Sequence, residues 1–126
     1  EPTPAIRQTR FGFVAKHGTR TMGFLCLRIQ PSLFHAHVFD IIVLREFRRR
    51  GIGTQMMESA IAWCKEQGLK GIAVIVPEEE VTNQLFCRRL QLRHRETIQT
   101  HDAETPTDTY LMMRFFNPEN RGWELK

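Results

Sequence analysis

The sequence predicts an α/β (α+β) fold: a mixed, mostly antiparallel sheet with a central parallel strand pair flanked by helices. Three observations predict it. Phe11–Ala15 and Met22–Ile29 are short apolar runs joined by His17-Gly18-Thr19-Arg20, so the chain opens on a hairpin. Val38–Leu44, rich in β-branched residues, leads through Arg48-Arg49-Arg50-Gly51-Ile52-Gly53-Thr54 into a segment, Thr54 to Gln67, with apolar residues at helical spacing. A second apolar run, Leu69 to Val76, follows that segment. A strand reached through one helix lies parallel to the strand before it, by a right-handed crossover.

The elements follow in order. Glu1 to Arg10 contains Pro2 and Pro4, has no periodicity, and reads as a loose lead-in. Gly18 suits the positive φ of a hairpin turn, and Pro31-Ser32 ends the second strand. The third strand runs from about His35 to Leu44. Strict alternation puts His35, His37, Phe39, Ile41 and Val43 on one face, and Ala36, Val38, Asp40, Ile42 and Leu44 on the other. Both faces are largely apolar, which suits a central strand. The first helix presents Met57, Ala60, Ile61 and Cys64 as one stripe, and Gly68 suits the position just past its end. Glu78-Glu79-Glu80 precede a second helix, Val81 to about Leu90, and read as acids favoured by the dipole in its first turn. Arg93 to Thr100 reads as an edge strand, Asp102 to Asp108 as a loop, and Thr109–Phe116 as the last strand. Asn117-Pro118 stops it. In the polar tail, Trp123 either packs back on the sheet or lies at an interface, so a homodimer is one option.

One domain, 1–126, is expected from 126 residues, and a hydrophobic fraction of 41% suits an ordinary core. No apolar run approaches the ~20 residues of a membrane span, so no membrane partner is expected. Cys26, Cys64 and Cys87 are odd in number and widely spaced, which argues for reduced thiols and a cytoplasmic location. The net charge of +4 admits nucleic acid. However, aromatic residues do not interleave with basic ones as stacking platforms require, so no nucleic acid is expected.

The chemistry gathers at the glycines. They sit where a strand turns into a helix, where unpaired backbone N–H groups and the helix dipole meet. Gly51 and Gly53 let a ligand approach the main chain, and three arginines add charge. This is an anion site, best suited to a pyrophosphate. The P-loop pattern is absent, since no Lys follows Gly53, and the dinucleotide fingerprint fails at Met56. What fits is Arg/Gln-x-x-Gly-x-Gly/Ala, carried by Arg48, Gly51 and Gly53 after Val43-Leu44-Arg45-Glu46-Phe47. This resembles the coenzyme loop of the GNAT superfamily of N-acetyltransferases. The resemblance runs from about Phe11 to Phe116 and lacks the usual N-terminal strand and two helices. Either the chain is a truncation, or a partner or the tail fills that side.

The resemblance implies acetyl-coenzyme A as cosubstrate and no metal. It implies that the backbone through Arg49, Arg50, Gly51, Ile52, Gly53 and Thr54 wraps the pyrophosphate. Ile41, Ile42 and Val43 would offer main-chain groups to the pantetheine arm and an N–H to the developing oxyanion. His37 lies six residues before Val43, where one branch of the family carries a catalytic Glu and another a His. It is the implied general base, with Asp40 second and a partly buried strand histidine as the plain reading. His35 and His37 could hold zinc, but no third ligand lies at metal-site spacing. Leu90-Gln91-Leu92 stands where the family has Leu-Gly-Phe, which puts Cys87 at the position of its acidic Tyr. A thiol can protonate a leaving thiolate, or can simply fill the core. Glu80 replaces the family's Asn, and Asn83 falls where a small residue is usual. The implied function is transfer of an acetyl group from acetyl-coenzyme A to a primary amine of a small molecule or protein by direct attack. The alternative is a catalytically degenerate acyl-coenzyme A sensor or interaction module.

Overall fold

The computed structural model describes residues 10–30, 34–99 and 108–116. The expected lead-in, the Pro31-Ser32 stop, most of the 102–108 loop and the tail with Trp123 lie outside them. Six strands form one sheet: β1 (Arg10–His17), β2 (Arg20–Gln30), β3 (His35–Val43), β4 (Gly71–Pro77), β5 (Arg93–Gln99) and β6 (Asp108–Phe115). Their spatial order is β1-β2-β3-β4-β6-β5, and every pairing is antiparallel except β3 with β4. The crossover between that parallel pair is α1 (Ile52–Glu66), and α2 (Val81–Arg89) follows β4.

Both helices pack on one face of the sheet. α1 buries Met56, Met57, Ala60, Ile61 and Cys64 in a core shared with Leu25, Leu27, Ala36, Val38 and Ile72. Each fully buried Leu, Ile, Val or Met among them contributes about 1.5–3 kcal/mol of transfer free energy. α2 adds Cys87, and Leu90 and Leu92 close the core beyond its end. Trp63 of α1 meets Phe11 and Phe13 at ring-centroid distances of 4.6 and 5.9 Å, which fastens the hairpin to the helix. Among the described residues, no helix is long and apolar enough to cross a membrane, and Cys26, Cys64 and Cys87 are free thiols.

Three expectations are corrected. α1 begins at Ile52 rather than Thr54, because Gly51 at φ 77° serves as its N-cap and the first helical bond runs from Gln55 N–H to Gly51 O. The acids before α2 lie outside its first turn, which holds none; Glu80 occupies the N-cap position. The strict alternation of the third strand fails. Cys26 pairs with Asp40 and Leu27 with Val38, so Phe39 is an extra residue in a β-bulge. Past the bulge, Ile41 and Val43 turn to the helix face with Val38. Asp40, paired with Cys26, joins His35 and His37 on the helix-free face rather than lying opposite them.

β5 is the expected edge strand, with all of its residues exposed. Gly23 of β2 is required by its partner: a Cβ built there would lie 2.5 Å from Ile42 O. Gly23→Ala should therefore destabilise the protein by about 1–3 kcal/mol in urea unfolding, as overpacking does. Gly12→Ala is the control, since its Cβ would meet nothing closer than Leu25 O at 3.8 Å. Equal unfolding midpoints for the two variants would refute this account of the β2–β3 contact.

Candidate active site

The site begins at the end of β3. Leu44 N–H bonds Met22 O, and a single 3₁₀ turn, Arg45–Phe47, carries the chain toward α1. Phe47 is buried and anchors this turn; the Arg20 and Arg50 guanidinium groups lie over its ring at 5.1 and 5.8 Å. Arg48 Nε–H donates to Val43 O at 2.9 Å and ties the loop back to the strand it left. Arg49 at φ 65° and Gly51 at φ 77° are both left-handed. Such alternation turns successive N–H groups into a concave anion nest. No side chain caps α1, so the N–H groups of Ile52, Gly53 and Thr54 have no partner within the helix.

The two glycines have different reasons. Gly51 is needed for its positive φ, with open space around it. Gly53 has room for a Cβ, whose nearest neighbours would be the Phe86 ring at 3.6 Å and Val43 Cγ2 at 3.8 Å. The protein's own packing tolerates a side chain there. What a side chain would block is the outward approach to the N–H groups, so the cradle fits a phosphate ligand.

The loop opens into a cleft. β3 and β4 pair through four rungs, from His35↔Gly71 to Val38↔Val74, and then part, although β3 continues to Val43 and β4 to Pro77. The gap is a cleft of about 190 Å³. Val38–Ile41 form one wall and Val74–Val76 the other; Met57 lies beneath, and Glu80, Asn83, Phe86 and Cys87 close the α2 side. Phe86 lines the cleft and is also the nearest ring to the Gly53 position, so one side chain stands between loop and cleft. Asn83 Nδ2–H donates to the Glu80 carboxylate, so the two residues out of family register act as a bonded pair. Ile41 lines the cleft, whereas Ile42 is exposed and Val43 lies beside the loop.

His37 stands on the last rung but one, paired with Ala73 on β4 and with Arg28 on β2. Its Nε2 lies 2.8 Å from His35 Nε2, so one ring donates an N–H to the other. His35 itself is only 4% exposed. Partial burial, then the neighbouring His35 and Arg28, hold the His37 ring below its ordinary value of 6.5. That shift favours the neutral ring. Cys87 is 2% exposed, and burial pushes its thiol up to about 11. It keeps its proton and gives it up less readily than an ordinary thiol. Cys64, deeper in the core, is pushed up to about 12. Among the described residues no group of three His, Cys, Asp or Glu side chains could hold a metal.

Sequence reasoning missed the Phe47 anchor, the Arg48 tether and the Phe86 bridge. The signal for Phe47 was an aromatic residue between charged neighbours in an exposed loop. Phe86 carried no local signal, because its role depends on two helices meeting.

The His37 ring titration tests the pair. In a two-dimensional NMR titration its midpoint should fall below 6.5 and move upward in His35→Ala, as burial and charge are relieved. The unfolded chain then binds the proton first on acidification, so His37 makes the protein lose stability as pH falls through 6.5 toward the native midpoint. A wild-type midpoint at or above 6.5 would contradict the arrangement.

The fold has known counterparts. The profile of the acetyltransferase (GNAT) family matches residues 2–91. No curated protein matches the sequence. Among solved structures, a GNAT-family chain from Desulfovibrio desulfuricans superposes with a TM-score of 0.77 at 11% identity, covering 85% of this chain and 69% of that one. The ribosomal-protein-S18-alanine N-acetyltransferase of Escherichia coli gives 0.76 at 16% identity, covering 90% and 75%. PaiA N-acetyltransferase of Thermoplasma acidophilum, solved with coenzyme A, gives 0.69 at 15% identity, covering 86% and 62%. With its loop, its parted strands and a family match over more than half its length, the chain belongs to the acetyltransferase (GNAT) family.

Proposed function

We propose that this protein is an N-acetyltransferase that takes the acetyl group of acetyl-coenzyme A to a primary amine by direct attack. One observation carries the reading: an uncapped helix N-terminus with a left-handed approach follows the strand whose pairing with its parallel neighbour has parted to leave a cleft. The N–H groups of Ile52, Gly53 and Thr54, with Arg49 and Arg50, would hold the pyrophosphate. Arg48 acts by tethering the loop to Val43 O. The Ile41–Val43 strand would hold the pantetheine arm, because the side of β3 that faces the gap is no longer paired with β4 there. When bound, the coenzyme supplies an activated thioester. An N–H of the same stretch would stabilise charge on its carbonyl oxygen.

The amine must be neutral to attack, and His37 is the group we assign to take its proton. Its Nε2 faces His35, which leaves Nδ1 for the amine or an intervening water. Asp40, on the same face, is the second candidate. The leaving thiolate can take a proton from water, with Cys87 as a reluctant donor in the same cleft. The competing reading is an acyl-coenzyme A sensor without turnover, favoured by the Glu80 carboxylate and the high thiol pKa of Cys87 in the cleft.

Two measurements test the proposal. Gly53→Val should abolish coenzyme A binding in calorimetry while the protein stays folded; unchanged affinity would remove the loop from the site. His37→Ala should lower turnover by about 10²–10⁴ and keep coenzyme affinity, the usual range for general-base help. The deficit should shrink as pH rises and more amine is free without help. Near-normal turnover at pH 7 would pass the role to Asp40 or water, and no turnover by the wild type would favour the sensor.

A further inference from the structure

We infer that the acceptor is a monoamine carried on an apolar or aromatic group, bound at the helix-free mouth of the cleft by Phe39 and Ile75. This rests on the acetyl-transfer reading above. Phe39 is 54% exposed and Ile75 49% exposed, and both line the cleft. They stand on opposite lips of the gap. Phe39 is the bulged residue of β3, and Ile75 follows the last paired residue of β4. The face they occupy follows from their neighbours. Ile72 and Val76 point into the core, so Ile75 between them points away from the helices. Arg10 alternates with the core-facing Phe11 and lies over the Phe39 ring at 5.8 Å, so Phe39 faces the same way. Ile75 pairs directly with Leu111 of β6, which extends the apolar surface away from the gap.

A single exposed apolar side chain carries no message, but two facing each other across a reaction cleft form a subsite. The coenzyme loop opens on the helix side, so the other mouth is left for the acceptor, and His37 lies on that mouth's face. The charges select further. Arg28 is paired with both Arg10 and His37, and the Arg10 guanidinium lies over Phe39 at the lip. Of the carboxylates lining the cleft, Asp40 is on this side, and Glu80 lies at the N-cap of α2 bonded to Asn83. Asp40 suits one ammonium group; a second would meet Arg10 and Arg28. Apolar walls also favour the neutral form of the amine, which is the form that attacks.

A free arylalkylamine and a protein N-terminus that begins with an aromatic residue share this chemistry. Wild-type protein with acetyl-coenzyme A is assayed by chromatography of the acetylated product, using phenethylamine, ethanolamine, spermidine and the peptide Phe-Gly-Gly. Phenethylamine should exceed ethanolamine in kcat/KM by roughly tenfold or more, the scale of discrimination by an apolar pocket, with spermidine disfavoured. Phe39→Ser and, separately, Ile75→Thr should each reduce that ratio toward one; both side chains are half-exposed, and the ratio cancels any change in coenzyme binding. Acetylation of Phe-Gly-Gly at a rate near that of phenethylamine assigns a protein N-terminus, and its exclusion assigns a small amine. Preference for spermidine or ethanolamine, or a ratio that neither substitution moves, would overturn the inference. If no amine is acetylated, the transferase reading fails separately. Calorimetry of phenethylamine onto the coenzyme A complex then decides: binding weakened by Phe39→Ser sustains the subsite, and absent binding overturns it.

Discussion

A parallel strand pair that stops bonding while both strands continue is the constraint on which the rest of this structure depends. Backbone N–H and C=O groups inside a sheet need partners. Between Phe39–Val43 and Ile75–Pro77 the sheet withholds them, so the gap persists only where other contacts hold the strands apart. β3 is held from the other side by β2, in antiparallel register through Val43. β4 is held by β6 through Thr109. Met57 and Phe86 line the gap from the helix side. The bulge at Phe39 then re-aims β3 where the pairing with β4 ends, and Ile41 and Val43 rejoin the core.

The loop electrostatics depend on the same geometry. An arginine next to a helix N-terminus is locally unfavourable, since the dipole repels cations there. Three successive arginines would add to that cost if all turned inward. The structure divides them: Arg48 bonds a carbonyl of the preceding strand, Arg50 lies over Phe47, and Arg49 occupies the left-handed bend. An anion held there would relieve what remains, and the repulsion in the free protein would then favour the bound one.

Much of this was legible in the sequence because it is local. Glycine at a left-handed position, a helical stripe of Met57, Ala60, Ile61 and Cys64, and an apolar run after a helix each write their structure into a few adjacent residues. The parallel pair followed from chain topology. The bulge was not legible, because it is a mismatch of count between β2 and β3 and neither strand shows it alone. With it went the true face of Asp40. The His35–His37 spacing was visible as a possible ligand pair, but their mutual hydrogen bond needed coordinates. Gln91 shows a further limit. It sits at φ 68°, in the conformation glycine adopts most easily, and its side chain gives no hint of that.

The open flank of β5 bears on how copies of this protein meet. A sheet edge is a template for further strands. Here Arg93, His94, Arg95 and Glu96 stand consecutively on that edge, and every residue of the strand is exposed to water. A strand arriving from another molecule would have to strip solvent from those polar side chains before its main chain could bond. The sheet is thereby kept finite on this side.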